Sequence, residues 1–261
     1  MVAALGVSTN AELLALQRAL YESRNPTRRW LHCTRRDWIV ERLARLAAEG
    51  RRDVLEIGPG SGVYVLHLAR MFDRVTVSDV HDAFLDAARA LTANHPNVTV
   101  VRDDIRRPAL PAASFDLVLC TEVIEHVRES REALAGMRRL LRPGGVLLLS
   151  TPQRFSPLEV CATIAFLPGV IEFVRRVYRE PILPTGHVNP MTAPSVRRQL
   201  NEAGFSIREA HTSGLYLPVL AEAGGEPARR LAAWLERRIR GGALEWLLWT
   251  QYYLAVAGDR H

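Results

Sequence analysis

Between residues 51 and 150 the chain alternates short aliphatic or β-branched runs with stretches of helical periodicity. That alternation constrains the fold more than any other feature. Two parallel strands cannot be joined by a tight turn and need a crossover long enough to hold a helix. Residues 53–57, 74–78, 98–101, 116–120 and 146–150 are apolar enough for strands covered on both faces. Between them, residues 62–71, 83–94 and 130–141 space their apolar side chains as helices do, and Pro143-Gly144-Gly145 ends the last of these. The expectation is an α/β, doubly wound core.

The flanks read differently. Residues 12–21 and 36–48 have helical spacing and are separated by an arginine-rich joint, Arg24-Asn25-Pro26-Thr27-Arg28-Arg29-Trp30. After the fifth strand, residues 152–190 break the alternation with Pro157, Pro168, Pro181, Pro184 and Pro190 around an apolar helical segment at 160–173. We read this stretch as a cap over the C-terminal edge of the sheet. Alternation resumes with a helix at 193–203, a strand at 205–211, a basic amphipathic helix at 227–240 and a last apolar stretch at 247–257. Four units follow: N-terminal helices covering the active site (1–50), a ligand-binding core (51–151), a cap insertion (152–190) and the remaining sheet and helices (191–261).

Charge removes whole chemistries. All 34 basic side chains are arginine, so no lysine can form a Schiff base or hold a nucleotide phosphate in a Walker loop. Arginine binds anions in a bidentate fork but does not exchange protons near neutrality. The three cysteines, Cys33, Cys120 and Cys161, lie far apart and outside any CxxC spacing, against a disulfide framework or a cysteine-rich zinc site. No stretch reaches the apolar length of a membrane span, and the first twenty residues lack a signal-peptide pattern. A cytoplasmic protein is expected.

The most informative segment is Val54-Leu55-Glu56-Ile57-Gly58-Pro59-Gly60-Ser61-Gly62, a buried strand entering a glycine loop. Such a loop admits a ligand close to the backbone and directs unpaired N–H groups at an anion. The dinucleotide fingerprint requires glycine at the sixth position, where Val63 stands, so a nicotinamide cofactor fits poorly. The acidic-x-Gly-x-Gly-x-Gly spacing resembles motif I of the class I S-adenosylmethionine-dependent methyltransferases. The resemblance spans roughly residues 50–257 and includes the group of ubiquinone-pathway O-methyltransferases. Asp79 in Val77-Ser78-Asp79, Asp104 in Arg102-Asp103-Asp104-Ile105, the run from Phe115 to Val127, and Leu141-Arg142-Pro143-Gly144-Gly145 extend it in order.

That resemblance implies a Rossmann-like, seven-stranded methyltransferase sheet with N-terminal helices and a helical cap insertion after the fifth strand. It implies S-adenosylmethionine as cofactor. Glu56 would face the methionine ammonium, with Gly58, Gly60, Ser61 and Gly62 around its carboxylate. Asp79 would take the ribose hydroxyls, Asp104 the adenine amino group, and Ile105 and Cys120 would complete the cradle. Carboxylates at strand ends suit these roles, because ligands of open α/β sheets bind outside the carboxyl ends of the strands.

Methyl transfer from a sulfonium needs an oriented nucleophile and, for a hydroxyl acceptor, a base. With lysine absent, histidine is the natural base, and His126 follows the fourth strand, four residues after Glu122. His187, in Gly186-His187-Val188-Asn189-Pro190, is the second candidate. Glu122, Glu125 and His126 resemble the Glu-x-x-Glu-His pattern of enzymes that hold a divalent metal such as magnesium beside the acceptor hydroxyl. Metal binding, catalysis by His126 and Glu122 without metal, and a merely structural His126 all stay open here.

The acceptor is expected to be an apolar or aromatic small molecule, phenolic, quinol-like or a natural product, methylated on oxygen. Phe155, Leu158, Ile164, Phe166, Leu167 and Phe173 would supply an apolar pocket. Arg24, Arg28, Arg29, Arg35 and Arg36, between Trp30 and Trp38, form either a solvated basic face or an anion site. On residues 227–240, Leu231, Trp234, Leu235 and Ile239 share a face expected to pack on the sheet, while the arginines around it suit peripheral contact with an anionic membrane at its inner face. An RNA 2′-O-methyltransferase and a catalytically silent S-adenosylmethionine-binding protein are the alternatives. Sequence-specific nucleic-acid binding is not expected, because no RNA-binding module or base-methylation motif is present.

Overall fold

The computed structural model describes residues 10–165 and 186–258. Strands β1 (Asp53–Ile57), β2 (Arg74–Asp79), β3 (Val98–Arg102), β4 (Phe115–Thr121), β5 (Leu141–Pro152), β6 (Phe205–Ser213) and β7 (Thr250–Ala257) form one seven-stranded sheet. Their order is β3-β2-β1-β4-β5-β7-β6. β7 runs antiparallel to both β5 and β6, whereas every other neighbouring pair is parallel. The order reverses between β1 and β4, the switch point where open α/β sheets leave a crevice for ligands.

Period-two alternation in the central strands divides the core in two. Leu55, Val118, Leu147 and Leu149 face one side, where α5 (Ser130–Leu140) supplies Leu134 and Met137 and α7 (Ala193–Glu202) supplies Leu200. Val54, Leu117, Leu119 and Leu148 face the other, against Ile39 and Leu43 of α2 (Pro26–Ala48) and Leu68 of α3 (Val65–Met71). α4 (Asp82–Leu91) adds Ala88 to that second layer. Burying each such leucine contributes about 1.5–3 kcal/mol, so the two layers fix the sheet from both sides.

The N-terminal edge of the sheet is held by ions. Arg142 reaches Asp53 at 2.8 Å and Asp116 at 2.6 Å, Arg74 pairs with Asp53, and Asp116 accepts the backbone N–H groups of Arg52 and Asp53. These partners hold both carboxyls below the usual range. For Asp53 the Arg74 hydrogen bond leads; for Asp116 burial opposes, and the backbone donors and Arg142 outweigh it.

Several flanking expectations are corrected. The arginine-rich joint is helical: Asn25 caps α2 by accepting from the N–H groups of Thr27 and Arg28, and Pro26 takes the first turn, where no N–H is needed. α1 (Asn10–Ala19) precedes it. The cap begins with α6 (Pro157–Ala165), and residues 166–185 lie outside the described residues, with Phe166, Leu167 and Phe173 among them.

The face of the basic helix, α9 (Gly225–Ile239), expected to pack on the sheet is only partly covered: Leu235 and Ile239 are half-buried. Ala232 and Glu236 are its buried positions, while Leu231 and Trp234 are exposed, and it packs on α2 and on α8 (Pro218–Ala223). The reason is Glu236, whose carboxylate accepts the buried N–H groups of Gly214 and Leu215. Unpaired, each of those buried donors would cost about 1–3 kcal/mol. No helix among the described residues is long and apolar enough to cross a membrane.

Candidate active site

At the C-terminal end of β1 the backbone of Gly58 takes φ +69° and donates its N–H to the carbonyl of Ser78 on β2. A Cβ at Gly58 would collide with Val123, and one at Gly62, φ +80°, with Leu91. Only glycine fits both positions, and the resulting turn delays α3 until Val65. Gly60 and Ser61 lie at its tip, with Gln17 and Arg18 of α1 against them.

Glu56 is the unusual member of this cradle. It is fully buried, and neither carboxylate oxygen has a hydrogen-bond partner. Burial pushes its carboxyl up to about 8. An acceptor pair left unmet inside a fold costs free energy and marks a place for a cationic or donor group. Asp79 ends β2 and accepts the His81 N–H at 2.8 Å; burial raises its carboxyl. Asp104, beyond β3, is gripped by Arg106 at 2.6 Å, which lowers it, and Arg106 also reaches Glu129 at 3.0 Å. Ile105 is buried, its carbonyl against Gly136 where a Cβ would not fit. Cys120 is buried on β4 opposite Ile57, and burial raises its thiol far out of the nucleophilic range.

The second part of the site forms where β4 gives way to a 3-10 turn, Ile124–His126. The loop after the cap docks on that turn: Val188 and Asn189 both donate their N–H groups to the Glu125 carbonyl, and Asn189 Nδ2 donates to Val127. Docking brings His187 to Glu125 and His126. One ligand atom from each of the three lies within 4.8 Å of the others, and the two imidazole centroids are 5.1 Å apart.

Glu125 is fully buried; Thr151 Oγ1 donates to its Oε2, while Oε1 has no hydrogen-bond partner and lies 4.0 Å from His187 Nε2. Burial, with the Glu122 charge adding, raises its carboxyl. Burial and the neighbouring His187 lower His126, whose Nδ1 lies 3.1 Å from the Gly186 carbonyl. His187 is raised, because Glu159 and the nearby glutamates outweigh its burial.

Glu122, grouped with Glu125 and His126 in the sequence, points elsewhere. Its carboxylate meets Arg35 at 2.8 Å and accepts from Ser150 Oγ at 2.9 Å, and its backbone is left-handed, φ +55°. The converging set is Glu125, His126 and His187, so His187 stands where Glu122 was expected. The N-terminal arginines likewise form no common patch: Arg28 pairs with Glu222, Arg36 with Asp37, and Arg29 donates to the Ser23 carbonyl. Arg35 is buried, against Glu122, His32 Nδ1 at 3.2 Å and the face of Trp249.

Two participants escaped the sequence reading. Arg35 stands in a run of arginines, and Glu159 is a lone acid just before the apolar segment at 160–173; its carboxylate contacts His187 Nδ1 at 2.8 Å and accepts from Trp249 Nε1 at 2.9 Å. Of the expected apolar pocket, only Phe155, Leu158 and Ile164 are among the described residues: Phe155 and Ile164 are exposed, and Leu158 packs with Leu31, Tyr216, Ala221 and Trp249.

Comparison with known proteins bears on the family and the fold. Residues 55–149 match the family described as a methyltransferase domain. A probable S-adenosylmethionine-dependent methyltransferase of Mycolicibacterium smegmatis is 32% identical over 185 residues, 69% of this chain and 63% of that protein. A ubiquinone biosynthesis O-methyltransferase of Histophilus somni is 32% identical over 130 residues, 48% of this chain and 53% of that protein. The chain thus spans between half and two thirds of these relatives. Among solved structures, the N-methyltransferase NodS of Bradyrhizobium japonicum in complex with S-adenosyl-L-homocysteine shares the fold, with a TM-score of 0.59, 20% identity and coverage of 96% of this chain and 97% of that one. Residues 55–149, with the strand–glycine loop at their start, thus form a methyltransferase domain, on the sheet fold that S-adenosylmethionine-dependent methyltransferases share.

Proposed function

We propose that the chain transfers the methyl group of S-adenosylmethionine to a hydroxyl of a small-molecule acceptor. The observation that carries this reading is the convergence of a buried, half-partnered Glu125 with His126 and His187 at the rim that also carries the glycine loop. Glu56, with two unmet acceptor oxygens, fits the donor's ammonium, and the Gly58–Gly62 turn fits its carboxylate. Asp79 fits the ribose hydroxyls. In the transfer, an acceptor oxygen forms a bond to the methyl carbon as the carbon–sulfur bond breaks, and sulfur keeps the electron pair as a neutral thioether. The hydroxyl proton leaves to an imidazole nitrogen, His187 Nε2 or His126. Arg35 neutralises Glu122, so the site does not carry two unpaired carboxylates.

A second reading is favoured by the unmet Glu125 oxygen. Glu125, His126 and His187 would hold a divalent ion such as magnesium. When bound, it would lower the pKa of the acceptor hydroxyl.

Methyl transfer from labelled S-adenosylmethionine to a panel of catechols, phenols and quinols tests the reading. Label in a small-molecule product is expected; label only in added RNA, or none with any acceptor, would overturn it. His187→Ala should cut turnover about 100-fold or more while leaving S-adenosylhomocysteine affinity within twofold. Loss of activity in EDTA with rescue by magnesium supports the metal; an unchanged rate rejects it.

A further inference from the structure

We infer that Glu159 is a positioning residue that fixes His187 in one orientation and one tautomer. Nδ1 is the permanent donor, and Nε2 is the nitrogen presented to the acceptor. The inference deepens the methyl-transfer reading and rests on it for its catalytic consequence. It serves both versions of that reading, because a base and a metal ligand alike need a lone pair on Nε2.

The geometry supplies the argument. Glu159 lies in the first turn of α6, and its carboxylate is only 8% exposed. Oε1 accepts the Trp249 indole N–H at 2.9 Å, and Oε2 lies 2.8 Å from His187 Nδ1. Trp249 cannot turn away, because its backbone N–H donates to the Gly214 carbonyl and its ring is flanked by His32 and Arg35. An indole nitrogen only donates, and an ionised carboxylate only accepts. The imidazole nitrogen facing Glu159 must therefore carry hydrogen, so the neutral ring has its lone pair on Nε2. That nitrogen points into the cluster, 4.0 Å from Glu125 Oε1.

The isosteric change Glu159→Gln reverses this logic. Trp249 still needs an acceptor and takes the amide oxygen, which turns the amide NH₂ toward His187 Nδ1. The ring must then accept at Nδ1 and carry its hydrogen on Nε2, facing the site with a donor. Adding Trp249→Phe removes the competing donor, frees the amide to rotate and restores the original tautomer.

The experiment is ¹⁵N spectroscopy of the histidine rings at a pH where His187 is neutral, in the full chain. Hydrogen on Nδ1 is expected in the wild type, on Nε2 in Glu159→Gln, and on Nδ1 again in the double variant. Methyl transfer should fall about 10- to 100-fold in Glu159→Gln and recover in the double variant. A ring that keeps hydrogen on Nδ1 in Glu159→Gln, or stays flipped in the double variant, overturns the proposal. Calorimetry with S-adenosylhomocysteine separates the two claims. Equal affinity in all three proteins supports a role confined to the acceptor side, a selective loss in Glu159→Gln counts against it, and absence of binding in the wild type sinks the methyl-transfer reading while leaving the tautomer result standing.

Discussion

At the scale of single residues, Glu56, the proposed partner of the donor's ammonium, also ties stability to pH. Burial raises its carboxyl from 4.5 to about 8, so across that interval the folded chain holds a proton that the unfolded chain has released. Its contribution therefore makes stability fall as pH rises through the window, by at most about 1.4 kcal/mol per pH unit, and level off above it. Glu56→Gln should remove that slope in denaturant titrations and weaken S-adenosylhomocysteine binding about 10- to 100-fold. Arg35→Met should cost about 3 kcal/mol or more, because Glu122 keeps a poorly solvated charge without its cation; adding Glu122→Gln should restore over half of the loss. The contrast between these residues shows what the sequence could reveal. Glu56, the glycines and His126 are legible because their signal lies within a few neighbours of one strand. Glu159 and Arg35 are not, since the groups that give them meaning stand 28, 90 and 87 positions away, at His187, Trp249 and Glu122 respectively.

At the scale of elements, periodicity placed the central strands and helices to within a few residues and misjudged the periphery. β1, β4 and most of β5 are buried on both faces, so their composition is nearly their conformation, while the edge strand β3 is only half-buried. α2 was read too short, because a run of arginines looked like a joint while Asn25 and Pro26 were already starting the helix. Asn25→Ala should cost about 1 kcal/mol in chemical denaturation through the cap, and more through the lost bond from Asn25 Nδ2 to Ala221. α9 misled for a different reason: its amphipathic pattern is real, yet a buried acid with two backbone donors decides which side turns inward. Glu236→Ala should therefore destabilise by about 1–3 kcal/mol, whereas Trp234→Ser should cost less than about 1 kcal/mol, the reverse of what hydrophobicity alone would rank.

For the molecule as a whole, the sheet order places the proposed donor cradle and the histidine cluster on the same edge, so one ligand should stabilise both core layers. S-adenosylhomocysteine at about 100 times its dissociation constant should add about 2.7 kcal/mol, a rise of roughly 5–10 °C in melting temperature. The antiparallel direction of β7 is hidden in the sequence, because a strand buried on both faces between β5 and β6 carries the continuous apolar run of a parallel strand. At the opposite edge, the Asp53–Asp116–Arg142 clasp closes the strands at the end away from the glycine loop and the histidine cluster. On the proposed reading anchorage and selectivity occupy separate poles, and exchanging loops at the reactive pole should change the accepted substrate while the clasped pole keeps the scaffold intact.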